Sequence, residues 1–253
     1  MKINPLTSSS RVRVEATVLA VHEVTPKMRR LTLGGPSLMP LLSTQGVDAP
    51  AAWVKIFVPL REGRAYTIRR IDFDRHFLEI DVVLHGETHA DDGSVSSWAR
   101  YAKPGDTLEI AGPRSGGFEL LQDIRWLWLA GDGSALPAIQ SILERLPEDI
   151  DVHVLIQTSD QAERQLLQTQ ARLHESWIYT TDVGQASASQ LGDYVLPVHH
   201  ELACSKDRGQ IWLAGEATTV KTWQQYCLHD FGMDRMRVSS KGYWKVGKRD
   251  HRD

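Results

Sequence analysis

The residues best suited to chemistry lie in segment 64–69, which reads RAYTIR. The planar guanidinium of Arg64 matches a diphosphate bidentately. Tyr66 lies two residues further on, so on a strand it shares a face with Arg64 and could lie flat against a planar ring. Thr67 offers a hydroxyl and a backbone N–H, which suit a hydrogen bond to a ring nitrogen such as that of a flavin. The alternative interpretation is an ordinary amphipathic strand with one exposed arginine.

A second candidate is the serine pair Ser96 and Ser97, at the predicted start of a helix over residues 94–102. The apolar positions in this segment recur at helical spacing, and the Pro-Gly-Asp turn at residues 104–106 ends it. Free backbone N–H groups and the helix dipole favour an anion at a helix N-terminus. The sequence therefore predicts that this pair could hold a diphosphate.

The elements that would position these residues are short strands in the first part of the chain. Alternating apolar and polar residues bounded by turn signals favour a small antiparallel barrel or sandwich. The predicted strands cover residues 11–24, 29–33, 53–58, 66–71, 77–84 and 107–111.

The pattern changes near Leu120, where strands begin to alternate with helices. This alternation is typical of a parallel, doubly wound sheet. The predicted strands cover residues 125–130, 151–157, 176–180 and 210–214, and the predicted helices cover 134–146, 161–172 and 217–228. The expected fold class is an N-terminal antiparallel β-barrel, residues 11–120, followed by a C-terminal parallel-sheet α/β domain, residues 121–253.

Composition narrows the class of protein. The chain has 253 residues, 42% hydrophobic and 24% charged, with a net charge of -3. These values are those of a globular protein, and no apolar run reaches the roughly 20 residues of a spanning helix. The two cysteines exclude a disulfide scaffold and a four-cysteine zinc or iron–sulfur site. The near-neutral charge gives no support for nucleic-acid binding. We expect a cytoplasmic enzyme or binding protein, with no membrane insertion and no metal site.

Taken in order, the motifs resemble the siderophore-interacting proteins, which are FAD-dependent ferric-siderophore reductases of the ferredoxin-reductase-like superfamily. The resemblance extends over nearly the whole chain. The matching stretches are residues 64–67, 81–85, 96–99, 104–106, 112–114, 130–138, 215–216 and 242–244.

The resemblance implies that the barrel binds FAD and that residues 121–253 form an NAD(P)H-binding-type domain with a basic, aromatic C-terminal tail. The implied FAD-binding positions come from the fourth predicted strand, the end of the fifth and the start of the helix. They are Arg64, Tyr66, Thr67, Ile68, Val83, His85, Val95, Ser96 and Ser97.

A glycine-rich turn begins the α/β domain. Residues 131–133, Gly-Asp-Gly, form the first half of a dinucleotide fingerprint, but Leu136 replaces the third glycine. Taken alone, the fragment indicates a tight strand–helix turn. In a reductase, this turn and residues 215–216 would line a nicotinamide cleft at the carboxyl ends of the strands. The candidate residues are Gly131, Asp132, Ser134, Ala135 and Glu216. The choice between NADH, NADPH and ferredoxin as electron donor stays open.

Three cations match the basic side chains that reductases of this kind hold around an open pocket on the flavin. They are Lys55, Arg114 and Lys241, and cations at a cleft raise the local concentration of an anionic chelate. Lys241 begins the basic, aromatic segment 241–249. That segment is either a frayed, solvated tail or, because Tyr243 and Trp244 are bulky apolar residues, part of the site.

The function implied is reduction of a ferric siderophore by electrons from NAD(P)H or ferredoxin through FAD, with release of Fe(II) in the cytoplasm. No side chain is assigned a catalytic role, because the siderophore supplies the iron ligands. The expected partners are an anionic ferric siderophore and, as an alternative electron donor, ferredoxin, and a monomer is expected. Two other hypotheses stay open: a general flavin or ferredoxin-type oxidoreductase, and a non-catalytic siderophore-binding protein.

Overall fold

A closed six-stranded antiparallel barrel forms the N-terminal half of the chain, with strand order β1-β2-β5-β4-β3-β6. The computed structural model describes residues 12–59, 62–85, 94–180 and 203–248. Alternating apolar side chains fill the barrel interior, where Leu31, Ile56 and Ile80 are fully buried. The strands are β1 (Val12–Thr25), β2 (Met28–Gly34), β3 (Trp53–Phe57), β4 (Arg64–Asp72), β5 (Phe77–Val83) and β6 (Thr107–Arg114).

Short helices connect the barrel strands. A 3-10 turn (Pro36–Leu38) and α1 (Met39–Leu42) follow β2, and α2 (Val95–Tyr101) precedes β6. The predicted helix over residues 94–102 is therefore confirmed. Ser94 caps it, because its side chain accepts a hydrogen bond from the backbone N–H of Ser97.

A five-stranded parallel sheet forms the C-terminal half, with order β11-β10-β7-β8-β9. Strands β7 and β10 are buried along their whole length, as expected of a parallel sheet covered on both faces. The regular elements are β7 (Trp126–Asp132), α3 (Leu136–Leu143), β8 (Asp151–Thr158), β9 (Arg172–Tyr179), β10 (Gly209–Glu216), α4 (Ala217–Gln225) and β11 (Val238–Trp244). The predicted fold class, a barrel followed by a parallel-sheet α/β domain, is confirmed.

The helix predicted over residues 161–172 is wrong. Only a single 3-10 turn (Gln161–Glu163) forms there, and Arg172 already belongs to β9. The cause is a contact with the barrel: the buried carboxylate of Glu163 accepts hydrogen bonds from Thr25 Oγ1 at 2.5 Å and Lys27 N at 3.0 Å. The polar residues of this segment therefore serve contacts with the barrel and do not form the solvent-facing side of a helix.

The end of the chain also differs from a frayed tail. Residues up to Trp244 form β11, which pairs in parallel with β10 from Ile211↔Val238 onward. Tyr243 packs against Trp212, with ring centroids 6.5 Å apart. Residues 242–244, a glycine and two large aromatic residues, are therefore part of an edge strand that packs beside the buried strand β10.

The last predicted helix, residues 217–228, divides in two. The α-helical part ends at Gln225, and a π-helical turn (Tyr226–Asp230) continues it. Two further 3-10 segments are Ala203–Arg208 and Arg235–Arg237. Within the described part of the chain, the helices are all too short or too polar to cross a membrane.

Candidate functional site

The outer face of the barrel at β3 and β4 meets the end of β11. Thr67 on β4 is 6% exposed and lies beside the hydroxyl of Tyr243. That hydroxyl is buried and has no hydrogen-bond partner of good geometry among the described residues, and burial raises its pKa above the usual value. Buried polar groups are nearly always paired, so this orphan hydroxyl beside Thr67 fits a bound group with a polar ring edge, such as a flavin.

The other flavin-binding candidates on β4 fall into two groups. Arg64 and Tyr66 are half-buried, whereas Ile68 is 5% exposed and packs in the barrel core. The backbone N–H of Ile68 donates to the carbonyl of Ala52 at 2.8 Å. A cofactor could therefore reach the side chains of Arg64 and Tyr66, while the side chain of Ile68 is committed to packing.

Helix α2 is tied to the end of β5 through Ser96. Its hydroxyl donates to the carbonyl of Val83 at 2.9 Å and accepts from the backbone N–H of His85 at 3.0 Å. Val95 is fully buried in the barrel core. The structure thus brings the predicted residues of β5 and α2 together, but the donor and one acceptor position of Ser96 Oγ serve the fold. The hydroxyl of Ser97 likewise donates to a local carbonyl, that of the capping residue Ser94, at 2.9 Å.

The predicted nicotinamide cleft lies where β7 and β10 adjoin, the point at which the strand order reverses. Ligands of open α/β sheets bind in the crevice outside the strand ends at such a point. Here Asp132 bridges the crevice. Its Oδ1 accepts from the backbone N and hydroxyl of Ser134 at 2.8 and 2.5 Å, and its Oδ2 accepts from Glu216 N and Trp244 Nε1, each at 2.8 Å. Four donors therefore use the acceptor positions of one 5% exposed carboxylate.

The two turns beside Asp132 are closely packed. A Cβ on residue 131 would lie 2.5 Å from the carbonyl oxygen of Ala214, so only glycine fits there. Ala135 is fully buried at the start of α3. Glu216 is 2% exposed, and its side chain caps α4 by accepting from Thr219 N at 2.8 Å. The predicted residues converge, and their polar side chains hold the turns together.

Two of the three predicted ligand-binding cations converge on one aromatic ring. The guanidinium carbon of Arg114 lies 4.9 Å from the ring centroid of Trp53, and the ammonium of Lys241 lies 4.7 Å from it. Both distances are within the range of cation–π attraction. The third cation, Lys55, is two residues from Trp53 on the same face of β3, with its ammonium 5.9 Å from the ring of Phe57.

Strand register connects this cation group to Thr67, one of the flavin candidates. Trp53 pairs with Thr67 on β4 and with Arg114 on β6. Directly paired residues project from the same face of a sheet. Lys55 on the neighbouring strand β3 and Arg114 on β6, one strand further, therefore lie on the same barrel face as Thr67, and Lys241 reaches them from the α/β domain.

Sequence reasoning missed Trp53 and the anchoring role of Trp244. Alternation along β3 places Trp53, Lys55 and Phe57 on one face, a pattern of aromatic, cation and aromatic residues that could have identified the first. Nothing in the sequence near Trp244 indicates its partner, because Asp132 is more than a hundred residues away.

Other chemistry has little support in the described residues. Among them, no three His, Cys, Asp or Glu side chains are grouped as a metal site would require. Cys227 is fully buried, and burial raises the pKa of its thiol to about 12. A thiol so protonated is a poor nucleophile.

Two family models match the chain. One, described as Siderophore-interacting protein, matches residues 124–247, and the other, described as Siderophore-interacting FAD-binding domain, matches residues 61–117. The chain is 27% identical over 250 residues to the ferric vibriobactin reductase ViuB of Vibrio cholerae, covering 90% of this chain and 87% of that protein.

A second group of relatives is longer. The chain is 28% identical over 243 residues to the mycobactin import ATP-binding/permease protein IrtA of Mycolicibacterium smegmatis, which covers 92% of this chain. The chain spans about a quarter of the length of this and the other IrtA proteins that it matches.

Solved structures agree with the fold. A siderophore utilization protein from T. fusca aligns with a TM-score of 0.76 and 28% identity, covering 94% of both chains. The ferredoxin reductase of carbazole 1,9a-dioxygenase aligns with a TM-score of 0.70 and 16% identity, covering 94% of this chain and 69% of that one. At that identity the second likeness concerns the fold alone.

Proposed function

The chain belongs to the siderophore-interacting protein family, and we propose that it is an FAD-dependent oxidoreductase that reduces iron(III) held in a siderophore. The electrons would come from NAD(P)H or ferredoxin, and Fe(II) would be released in the cytoplasm. The name of the ViuB relative, a ferric vibriobactin reductase, favours this reaction over siderophore storage.

The observation that carries the proposal is the cation group on the barrel face of Thr67. Arg114 and Lys241 meet at Trp53, and Trp53 pairs directly with Thr67. A ferric chelate with anionic ligands would be attracted to this face by the positive charge. It would then lie next to the strand on which the flavin candidates are located, which is what electron transfer requires.

FAD, when bound, would supply the redox chemistry that amino-acid side chains lack. The chain's own residues would bind and orient it. Thr67 and the orphan hydroxyl of Tyr243 would contact its polar ring edge, Tyr66 would lie against the ring, and Arg64 would hold the diphosphate. No protein ligand to iron is needed, because the siderophore supplies those ligands.

The test begins with the visible spectrum of the purified protein. We expect flavin absorbance, bleaching by NADH, NADPH or reduced ferredoxin, and reoxidation by a ferric siderophore with Fe(II) captured by a ferrous chelator. Reoxidation that is equally fast with any small acceptor would indicate a general flavin oxidoreductase. A colourless protein that also fails to take up added FAD would contradict both forms of the enzyme proposal.

The cation group is tested separately by Lys55→Ala and Arg114→Ala. Because these residues would bind the chelate without taking part in covalent chemistry, each variant should raise KM for an anionic ferric siderophore by about fivefold or more and change kcat less. Lys103→Ala is the control, since this exposed lysine precedes β6, whereas Arg114 ends that strand. Unchanged KM in both variants would show that the ligand binds elsewhere.

A further inference from the structure

We propose that Trp53 is a positioning residue, which holds Arg114 and Lys241 together as one anion-receiving pair across the junction of the barrel and the α/β domain. This inference rests on the proposed function. It adds a residue that acts through the two cations and not by contact with the reacting atoms.

The side chain of Trp53 contacts its surroundings through both its ring and its N–H. The ring lies within 5 Å of both cations, at 4.9 Å from Arg114 Cζ and 4.7 Å from Lys241 Nζ. Its Nε1 donates to the carbonyl oxygen of Ser115 at 2.8 Å. That same carbonyl accepts from Lys241 Nζ at 3.2 Å. One aromatic side chain thus contacts both cations through its ring and, through its N–H, fixes the carbonyl that also holds Lys241.

Holding two cations next to each other costs free energy, which a neighbouring aromatic ring can offset. Like charges repel, and long side chains lose conformational freedom when they are held in one place. The negative face of an indole attracts each cation, and this attraction offsets both the repulsion and the loss of conformational freedom. Trp gives the strongest attraction of the aromatic residues. A pair that is already positioned binds an anion without a further ordering cost.

The same contacts connect the two halves of the chain. Trp53 is on β3 of the barrel and Ser115 directly follows β6, whereas Lys241 is on β11 of the sheet. A second indole supports the segment after β6, because Trp212 Nε1 donates to the carbonyl of Gly116 at 3.3 Å. Lys241 is therefore placed relative to Arg114 by the pairing of β11 with β10 and by these hydrogen bonds, and not by the docking of a free tail.

The experiment compares Trp53→Leu, which removes the aromatic ring, with Trp53→Phe, which keeps a ring but loses the N–H. The binding probe is a gallium(III) tris-catecholate, which carries the charge of the ferric complex and is not reduced. We expect Trp53→Leu to weaken its binding by about tenfold, and Trp53→Phe to remain within about threefold of wild type. With the ferric complex, KM should follow these changes while kcat and bound FAD stay near wild type.

The matched control is Trp177→Leu. Trp177 is also half-buried and also has an arginine over its ring, Arg164 at 5.8 Å, but it lies on the edge strand β9. It should leave binding of the gallium complex unchanged. The effect of Trp53→Leu should also shrink when it is made in a Lys241→Gln background, since one of the cations it positions is already gone.

Three results would overturn the proposal. They are unchanged binding in Trp53→Leu, an equal loss in Trp53→Phe and Trp53→Leu, and strict additivity with Lys241→Gln. Circular dichroism and FAD content identify a variant that is simply misfolded; if Trp53→Leu is one, Trp53→Met, which also removes the ring, replaces it in every comparison. If the wild-type protein holds FAD but does not bind the gallium complex, the proposed function fails along with this inference. If the wild-type protein binds the complex and Trp53→Leu binds it equally well, the inference alone is overturned.

Discussion

At the scale of single residues, Asp132 accepts an unusually large number of hydrogen bonds. Its one carboxylate accepts hydrogen bonds from residues that follow β7, end β10 and end β11. Hydrogen bonds to a charged acceptor are stronger than neutral ones, and a buried partner left without one is costly. Asp132 therefore fixes the indole of Trp244 at the crevice where a nicotinamide would be expected.

Asp132→Asn tests this role. The amide nitrogen is a donor, so it would face either Ser134 or the pair of Trp244 and Glu216, and hydrogen bonds would be lost on that side. We expect a decrease in the free energy of unfolding of about 1–3 kcal/mol, measured by urea denaturation with tryptophan fluorescence. Asp234→Asn is the control, because it caps an exposed turn through Met236 N and asparagine caps equally well. Equal stability of the two variants would contradict the role.

At the scale of elements, the sequence predicts well what local patterns determine. Period-two alternation identified the barrel strands, and apolar runs followed by helices identified the parallel sheet. The helix prediction for residues 161–172 is wrong because Glu163 is buried against β1 and the turn after it, and no local pattern indicates that contact. The cation group was predictable only as separate residues. Its assembly depends on β11 reaching the barrel, and hence on tertiary packing.

Strand β9 offers a prediction on pH, because β8 is the one strand that pairs with it among the residues that the structure describes. His153 on β8 stacks on His174 of β9, with ring centroids 4.6 Å apart, near the Asp151–Arg172 ion pair. Burial, and then the charge of His174, lowers the pKa of His153 from 6.5 to about 4. The unfolded chain therefore binds this proton more readily, so stability is full above pH 6.5 and falls as the pH drops toward 4.

His153→Phe should remove this dependence, since it keeps a planar ring and does not titrate. Between about pH 7 and about pH 4.5 we expect the wild type to lose about 1–3 kcal/mol more of its free energy of unfolding than the variant. Urea denaturation at both pH values measures the difference. His22→Phe, at an exposed position of β1, should keep the wild-type slope. An unchanged slope in His153→Phe would mean that other groups set the acid sensitivity.

At the scale of the whole molecule, side chains fasten the barrel to the α/β domain at separate places. Arg69 on β4 donates to Gln140 at 2.9 Å and forms an ion pair with Glu144 at 2.6 Å, both at α3. Glu163 holds the turn after β1 from the other domain. The cation group at Trp53 adds a further link. A site made of residues from both halves needs them held in one arrangement.

These links predict that the two halves unfold together. Arg69→Met combined with Glu163→Ala should lower the free energy of unfolding by about 2–4 kcal/mol, because Thr25 and Lys27 lose a buried acceptor and the link to α3 is removed. Hydrogen exchange followed by mass spectrometry should then show the barrel and the sheet opening at different denaturant concentrations, whereas wild type opens at one. Glu148→Ala, at an exposed position after α3, should leave a single transition. If the double variant also opens in one step with wild-type stability, the halves are coupled through their apolar contact and not through these side chains.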